Sequence, residues 1–509
     1  MGEEAVDGPG PDLQVIVLGS GGGPQENNVT ALLVRSTQAG WSRGSIVAVD
    51  AGVHLSAITR ILEETQPQGL GAEVALPHKL ESGPFAGLEL KTKSPSANAA
   101  FITRQLIDTY LITHPHLDHI SGFVINTAGF PGSRPKRLTG LPSTISAFKT
   151  HIFNNVIWPN LSDENNGAGL VTYTRLVEGG SPALGEGAGK GYMEISDGLG
   201  VKVFGVSHGH CIERHSHRGS ASSSRIGSTD LSLMSPRGAP GSNAASGPSS
   251  LFRNTSLART SGQSQEQESI CVYDSSAYFI RDHTSGKEVL IFGDVEPDSI
   301  SLSPRNLVIW QEAAPKIARG HLAAIFIECS YDDSQTNDRL FGHLAPRFIL
   351  EEMRALASEV EAARQAPIKL ETTKKRKREL EDAVRRAHPA TARSTPADDP
   401  ISPKSSRPRR SLSASDSMPS PFSTPHIATP TAELTLNDLD PTAHVSLPSM
   451  PQSFLPLKGL KVVIIHVKDN FSEEESTGEI ILSELLEYER EAQLGCDFTV
   501  SRKGESFLF

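Results

Sequence analysis

The sequence predicts an α/β fold in which two β-sheets are sandwiched between helices. Two observations carry this. Apolar runs of strand length alternate with stretches of helical periodicity along most of the 509 residues. Polar residues suited to chemistry also recur where those runs stop, at Asp50, residues 113–119, His208, Asp294, Glu328 and His466. In open α/β sheets such sites gather beyond the carboxyl ends of the strands, where residues hundreds of positions apart converge.

Residues 1–12 read as a loose tail, and 13–509 as one domain carrying two long insertions expected to be disordered, at about 214–268 and 365–455. Both insertions are rich in Ser, Arg, Gly or Pro and lack apolar rhythm. Composition agrees, since hydrophobic residues make up only 37% and there are 44 Gly and 34 Pro. A formal net charge of −11 argues against wholesale nucleic-acid binding, which needs a basic surface. The cysteines Cys211, Cys271, Cys329 and Cys496 are widely spaced and form no Cys-x-x-Cys pair, which indicates neither a disulfide framework nor a cysteine zinc knuckle and suits a reducing, cytoplasmic setting. No run of 18 apolar residues appears and the acidic start does not read as a signal peptide, so no membrane association is expected.

Order begins with a strand at 13–18, followed by Gly19-Ser20-Gly21-Gly22-Gly23-Pro24 and strands at 30–34 and 45–50. The Gly-rich turn lacks the G-x-G-x-x-G spacing and a following helix, so it reads as a tight turn beside the cleft rather than a phosphate cradle. Leu55, Ile58, Ile61 and Leu62 mark a helix over 54–64, and the apolar run ending at Ile112 a strand. Helical spacing recurs over 141–157 until Trp158-Pro159 breaks it, and a strand pair is expected at 170–177 and 192–195. A strand over 200–206 ends at His208. Order returns at 269–280, and further strands are read at 286–292, 323–327 and 460–465, with helices at 306–319, from about 346 to 360, and at 478–493.

The stretch Thr113-His114-Pro115-His116-Leu117-Asp118-His119 holds too many polar groups to bury without a job. Imidazole and carboxylate suit Zn²⁺ and bind it only when unprotonated. His114 and His116 project to one side of the strand exit, while Asp118 and His119 fall in the following turn and reach a second ion, so two metals are read. A lone histidine such as His208 or His466 is on base rates a hydrogen-bonded core residue, and Asp294 alone could cap a turn. Their recurrence at strand ends beside the cluster points instead to ligands. Asp50 is read as holding loops or a ligand imidazole rather than a metal. His210, His215 and His217 are left as surface residues, and Glu328 receives no role.

His114-Pro115-His116-Leu117-Asp118-His119-Ile120-Ser121-Gly122, then a lone His, a lone Asp and a terminal His, resembles the metallo-β-lactamase fold, an αββα sandwich. Together with Ser207-His208-Gly209, residues 293–298, 342–346 and His466, it resembles the fungal class II cyclic-nucleotide phosphodiesterases. The likeness covers about 13–210, 269–360 and 457–509. It implies that His114, His116 and His208 bind one Zn²⁺, that Asp118, His119 and His466 bind another, and that Asp294 bridges them, although other divalent metals suit the same donors.

The implied reaction cleaves the 3′ phosphoester of cyclic AMP, with cyclic GMP as a further candidate substrate, to give a 5′-monophosphate. From the residues alone, a β-lactam, a thioester, a lactone or an RNA phosphodiester would serve equally. A non-catalytic scaffold that keeps the fold is the alternative from another class. Asp118 and His343 are the residues expected to act in catalysis, His343 as proton donor to the leaving 3′-oxygen unless it merely caps the following helix. Ser413 behind Arg409 and Arg410 suits a kinase, and Lys374 to Arg378 suits nuclear import.

Overall fold

The computed structural model describes residues 10–129, 134–213, 269–365 and 455–509. Both expected insertions, Ser413, Lys374 to Arg378, His215 and His217 therefore lie outside the described residues.

In chain order the structure has strands β1 (Leu13–Gly19), β2 (Ala31–Ser36) and β3 (Ile46–Val49), helix α1 (Leu55–Thr65), a small pair β4 (His78–Lys79) and β5 (Glu89–Leu90), and helix α2 (Pro95–Phe101). A π-helical turn, Ile102–Leu106, leads into β6 (Ile107–Leu111), followed by α3 (Leu117–Thr127), β7 (Lys136–Gly140) and α4 (Pro142–Ala147). Next come β8 (Val171–Arg175), β9 (Met193–Ser196), β10 (Leu199–Glu213), β11 (Ser269–Asp282) and β12 (Glu288–Phe292). The described chain ends with α5 (Asn306–Ala318), β13 (Leu322–Glu328), α6 (Pro346–Gln365), β14 (Lys461–Ile465), α7 (Thr477–Ala492), β15 (Asp497–Val500) and β16 (Ser506–Leu508).

These strands build two seven-stranded sheets, ordered β16-β1-β2-β3-β6-β7-β8 and β15-β14-β13-β12-β11-β10-β9. Period-2 alternation along the strands sorts the core into layers. Val15, Val17, Val47 and Val49 of the first sheet meet Val203, Tyr278, Val289, Ile291 and Phe326 of the second. On the other face of the first sheet, Ile16, Leu18, Leu33 and Ala48 pack on Ile58, Ile61 and Leu62 of α1 and on Ile120 and Phe123 of α3. On the outer face of the second sheet, Leu290, Phe292, Ile325 and Ile464 pack on Ile309 and Trp310 of α5, Ile349 and Met353 of α6, and Ile481 and Leu485 of α7. The result is an αββα sandwich. Strands covered on both faces are mostly apolar, and β1 and β12, buried at every position, admit only Gln14 and Glu288 as exceptions.

Each sheet is antiparallel at one side and parallel at the other, with β3, β6, β7 and β8 parallel in the first and β12 to β15 parallel in the second. The carboxyl ends of β3, β6, β12, β13 and β14 lead directly into Asp50, the 113–119 loop, Asp294 and its neighbours, Ser330 and His466.

Several local expectations change. The strands expected as a pair near 170–177 and 192–195 form as β8 and β9 but lie in different sheets. The helix expected over 141–157 continues only as a π-helical turn to Ile152, because Asn154 Oδ1 accepts from the N–H groups of Val156 and Ile157 and turns the chain early. β7 was hidden by its Lys136 and Arg137; Lys136 is buried, and its Nζ donates to the carbonyls of Thr103, Arg104 and Ile107 at 2.8, 3.0 and 2.6 Å. Asp12, read as tail, donates its N–H to the Phe509 carbonyl at 2.6 Å.

Candidate metal centre

Asp294, two residues past β12, is the hub of the cleft. Its Oδ1 lies 3.1 Å from His119 Nε2, and its Oδ2 lies 3.6 Å from His114 Nε2, 3.5 Å from His208 Nε2 and 3.3 Å from His466 Nε2. Asp118, on the first turn of α3, brings Oδ2 to 3.8 Å from His119 Nε2 and 3.7 Å from His466 Nε2. Beside a third group of His208, Glu328 and His343, two ligand groups form around Asp294, His114, His116, His208 and Asp294 in one, Asp118, His119, Asp294 and His466 in the other; within each of the three, the donor atoms lie within 4.8 Å of one another. Asp294 belongs to both.

His208 corrects its expected setting. It does not end a strand but sits inside β10, where the register with β11 slips between Ser207 and His210. Gly209 there has φ +77°, and its N–H donates to Glu296 Oε2 at 3.1 Å. A bulge of this kind re-aims a side chain within a continuous strand.

The chain fixes the tautomer of four of the imidazoles. Asp50 Oδ2 accepts from His119 Nδ1 at 2.8 Å, and its Oδ1 accepts from the Thr113 N–H at 2.8 Å. The Gly342 carbonyl accepts from His208 Nδ1 at 2.9 Å. Thr30 Oγ1 points its own hydrogen at the Gly21 carbonyl and so accepts from His466 Nδ1 at 2.6 Å. Thr113 Oγ1 donates to Asp50 Oδ2, which leaves it to accept from His114 Nδ1 at 3.1 Å. In each ring Nδ1 is engaged as a donor, so Nε2 is the nitrogen turned inward, and it presents a lone pair whenever the ring is neutral.

The electrostatics follow from burial. Desolvation drives the pKa of His114 well below its ordinary value, helped by the neighbouring His119, and does the same to His466. Burial and then His208 push His116 down to about 4. For His119 burial also opposes charge, but Asp294 and Asp50 on either side outweigh it and raise the pKa well above the usual value. Burial would raise Asp294, yet His119, His466 and His114 hold it well below the carboxylate range. Among the described non-glycine residues with positive φ are Asp50 at φ +54° and His466 at φ +58°. Non-glycine residues adopt this region at a cost of order 1–3 kcal/mol, and such positions cluster at functional sites. Beyond the cluster, His343 Nδ1 donates to Glu328 Oε1 at 2.8 Å and lies 3.9 Å from Asp294 Oδ2. Its ring packs 4.8 Å from that of His208 and stacks 5.4 Å from that of His466.

The model of the class-II cAMP phosphodiesterase family matches residues 15–224 and 241–373. The chain belongs to the class-II cAMP phosphodiesterases. Its relatives in this family include a 3′,5′-cyclic-nucleotide phosphodiesterase of Schizosaccharomyces pombe, 28% identical over 345 residues that cover 68% of this chain and 75% of the relative. One of Candida albicans is 27% identical over 377 residues, covering 68% of this chain and 82% of the relative. The crystal structure of unliganded yeast PDE1 shares the fold, with a TM-score of 0.57 at 18% identity over 98% of this chain and 100% of that one.

In this class-II phosphodiesterase, His114, His116, Asp118, His119, His208, Asp294 and His466 come together in one cleft, with Asp50 behind His119 and His343 alongside. Several partners escaped the sequence reading. Glu328 was read at the end of an apolar strand, as Asp50 was, but without its task of holding His343. Thr30, Ser275, whose Oγ lies 3.4 Å from His114 Nδ1, and the Gly342 carbonyl carry no sequence signal at all. The Gly-rich turn packs against His466, and a Cβ on Gly22 would lie 2.6 Å from that imidazole. Among the described residues no helix is long and apolar enough to cross a membrane.

Proposed function

We propose that the protein hydrolyses 3′,5′-cyclic nucleotides, cyclic AMP first and cyclic GMP as a further substrate, to 5′-monophosphates at a centre of two Zn²⁺ ions. The observation that carries this reading is the shared carboxylate of Asp294, which belongs to both ligand groups. The residues fit metal by a second criterion. His114 Nε2 and His466 Nε2 are buried and, among the described residues, have no hydrogen-bond partner, while the buried His119 Nε2 and Asp294 Oδ1 have only each other, 3.1 Å apart. Orphaned buried polar atoms are costly, and a cation satisfies all of them together. His114, His116 and His208 would hold one ion, Asp118, His119 and His466 the other, and Asp294 both; imidazole and carboxylate donors also suit other divalent metals.

Such an ion pair, when bound, supplies Lewis acidity toward phosphoryl oxygens and a water acidified to near neutrality. The remaining work falls to the chain. Asp50, Thr30 and the Gly342 carbonyl hold His119, His466 and His208 in the ligating tautomer. Glu328 holds His343 at Nδ1, which leaves Nε2 as the atom that delivers a proton to the leaving ribose 3′-oxygen. Cyclic AMP is a diffusible solute, so we place the protein in the cytoplasm. Kinase control at Ser413 and nuclear entry through Lys374 to Arg378 would act on segments outside the described residues.

The test is hydrolysis of cyclic AMP and cyclic GMP by zinc-replete protein, with the products separated by chromatography. The 5′-monophosphate should form and a chelator should stop it. Formation of the 3′-monophosphate, or no turnover of either nucleotide, sinks the reading.

A further inference from the structure

A second cavity, of about 480 Å³, opens at the far end of the second sheet, between the glycine-rich segment 179–191 and the carboxyl end of α5. Glu288 lines it at the start of β12, whereas Asp294 lies past the end of the same strand. At about 3.3 Å per residue the two are roughly 20 Å apart along the chain.

The walls of this cavity hold an unbalanced set of charges. Arg281 Nη1 donates to Glu288 Oε1 at 2.6 Å, and Lys316 Nζ donates to Glu288 Oε2 at 2.8 Å. Lys316 also approaches Glu312 Oε1 at 3.1 Å, where Lys202 Nζ donates at 2.8 Å. Three largely buried cations therefore share two carboxylates. Lys190 and Arg319 line the same cavity from exposed positions. Five cations against two carboxylates leave an excess of three, in a chain whose overall charge is −11. The carboxyl end of α5 subtracts only about half a charge. Lys190 and Arg319 are solvated, but among the buried groups three cations face two carboxylates, and burying the unmatched charge is expensive unless a counter-charge arrives. His321, on the cavity wall, senses the same field: partial burial and then the charges of Arg281, Arg319 and Lys287 lower its pKa although Glu288 opposes them.

We propose that this cavity is a binding site for a small phosphate-bearing polyanion, separate from the metal centre. Its volume falls in the range of small-molecule sites and accommodates a nucleotide as readily as an inorganic polyphosphate. Lys190 and Arg319 supply the charges free to meet phosphate, while Lys202, Arg281 and Lys316 set the positive potential behind them. The ion network also ties α5 to β11 and β12, but that structural task needs only balanced pairs and leaves the surplus charge unexplained.

The experiment is calorimetric titration of the metal-loaded full chain with ATP and, separately, with inorganic tripolyphosphate at fixed ionic strength. The comparison is the double variant Lys190→Ala/Arg319→Ala, whose exposed positions leave the buried network intact. At least one probe should bind the native chain and raise its melting temperature. The double variant should weaken that binding by about tenfold or more, with cyclic-nucleotide turnover measured alongside to show that the metal centre is intact. Preference for ATP identifies a nucleotide ligand, and preference for tripolyphosphate an inorganic one. Binding of both probes undiminished in the variant would place the anion elsewhere, at the metal centre included, and overturn the proposal. Failure of both probes to bind would overturn it too.

Discussion

Glu328 Oε1 accepts the Nδ1 hydrogen of His343 at 2.8 Å, and both side chains are buried. Glu328 is held in turn by the Val295 N–H and the Ser330 hydroxyl, each at 2.9 Å. A carboxylate anchored on three sides gives His343 one orientation. His343→Ala should cut turnover by about 10²- to 10⁴-fold, with metal content and melting temperature near native. Glu328→Gln keeps the shape but weakens the orienting bond, so it should cost less. Because the two residues act as one unit, the double variant should be no slower than His343→Ala. Unchanged turnover in His343→Ala would reject the role.

The turn at Gly342 should prove intolerant of a side chain. Its φ is +83°, and a Cβ there would lie 2.5 Å from the Gly209 backbone nitrogen. Its carbonyl also holds His208 Nδ1. Gly342→Ala should therefore loosen His208 and weaken metal retention by about 10- to 100-fold in a chelator titration, as other losses behind a ligand do. Retention equal to native would show that His208 does not depend on this carbonyl.

Much of the fold was legible because strands covered on both faces must be largely apolar, and β1, β12, β13 and β14 announce themselves as apolar runs. The site was legible for a related reason, since His114, Asp118 and His466 interrupt those runs with groups that cannot be buried idly. β7 was not, because the apolar stem of Lys136 hides in the core while its amine finds three carbonyls, a solution that depends on the π-helical turn before β6. His208 was read as a strand end because Gly209 breaks the apolar pattern; the strand in fact continues through a bulge. Glu328 was visible as a strand end, but its task was not, since that depends on His343 arriving from fifteen residues further on.

Glu352 gives a test of packing independent of the cleft. Buried on α6, it accepts from Trp310 Nε1 at 2.6 Å, the Asp298 N–H at 2.9 Å and Asn306 Nδ2 at 3.1 Å, and so fastens α5 and the loop after β12 to α6. Glu352→Ala strands the Trp310 and Asp298 N–H groups, leaves Asn306 Nδ2 only the Glu296 carbonyl, and should destabilise the fold by about 2–4 kcal/mol in denaturant unfolding. A loss below about 1 kcal/mol would mean that water replaces the carboxylate at no cost.

The segment between β10 and β11 should be dispensable for chemistry. Glu213 pairs with Ser269 across the two strands, so the chain leaves and re-enters at adjacent positions that a short turn can join. Replacing residues 218–264 with a brief Gly/Ser linker should leave cyclic AMP turnover within about twofold of native. If turnover disappears from a protein that still melts cooperatively, the segment contributes to substrate binding.

The central claim is that Asp294 joins two metal sites into one hydrolytic centre. Zinc content by plasma mass spectrometry and cyclic AMP turnover, measured together on the native chain and on Asp294→Ala, test it most directly. The account predicts two zinc ions per native chain, and a variant that stays folded while losing bound zinc and turnover together. A variant that retains both ions and hydrolyses cyclic AMP at the native rate would contradict it.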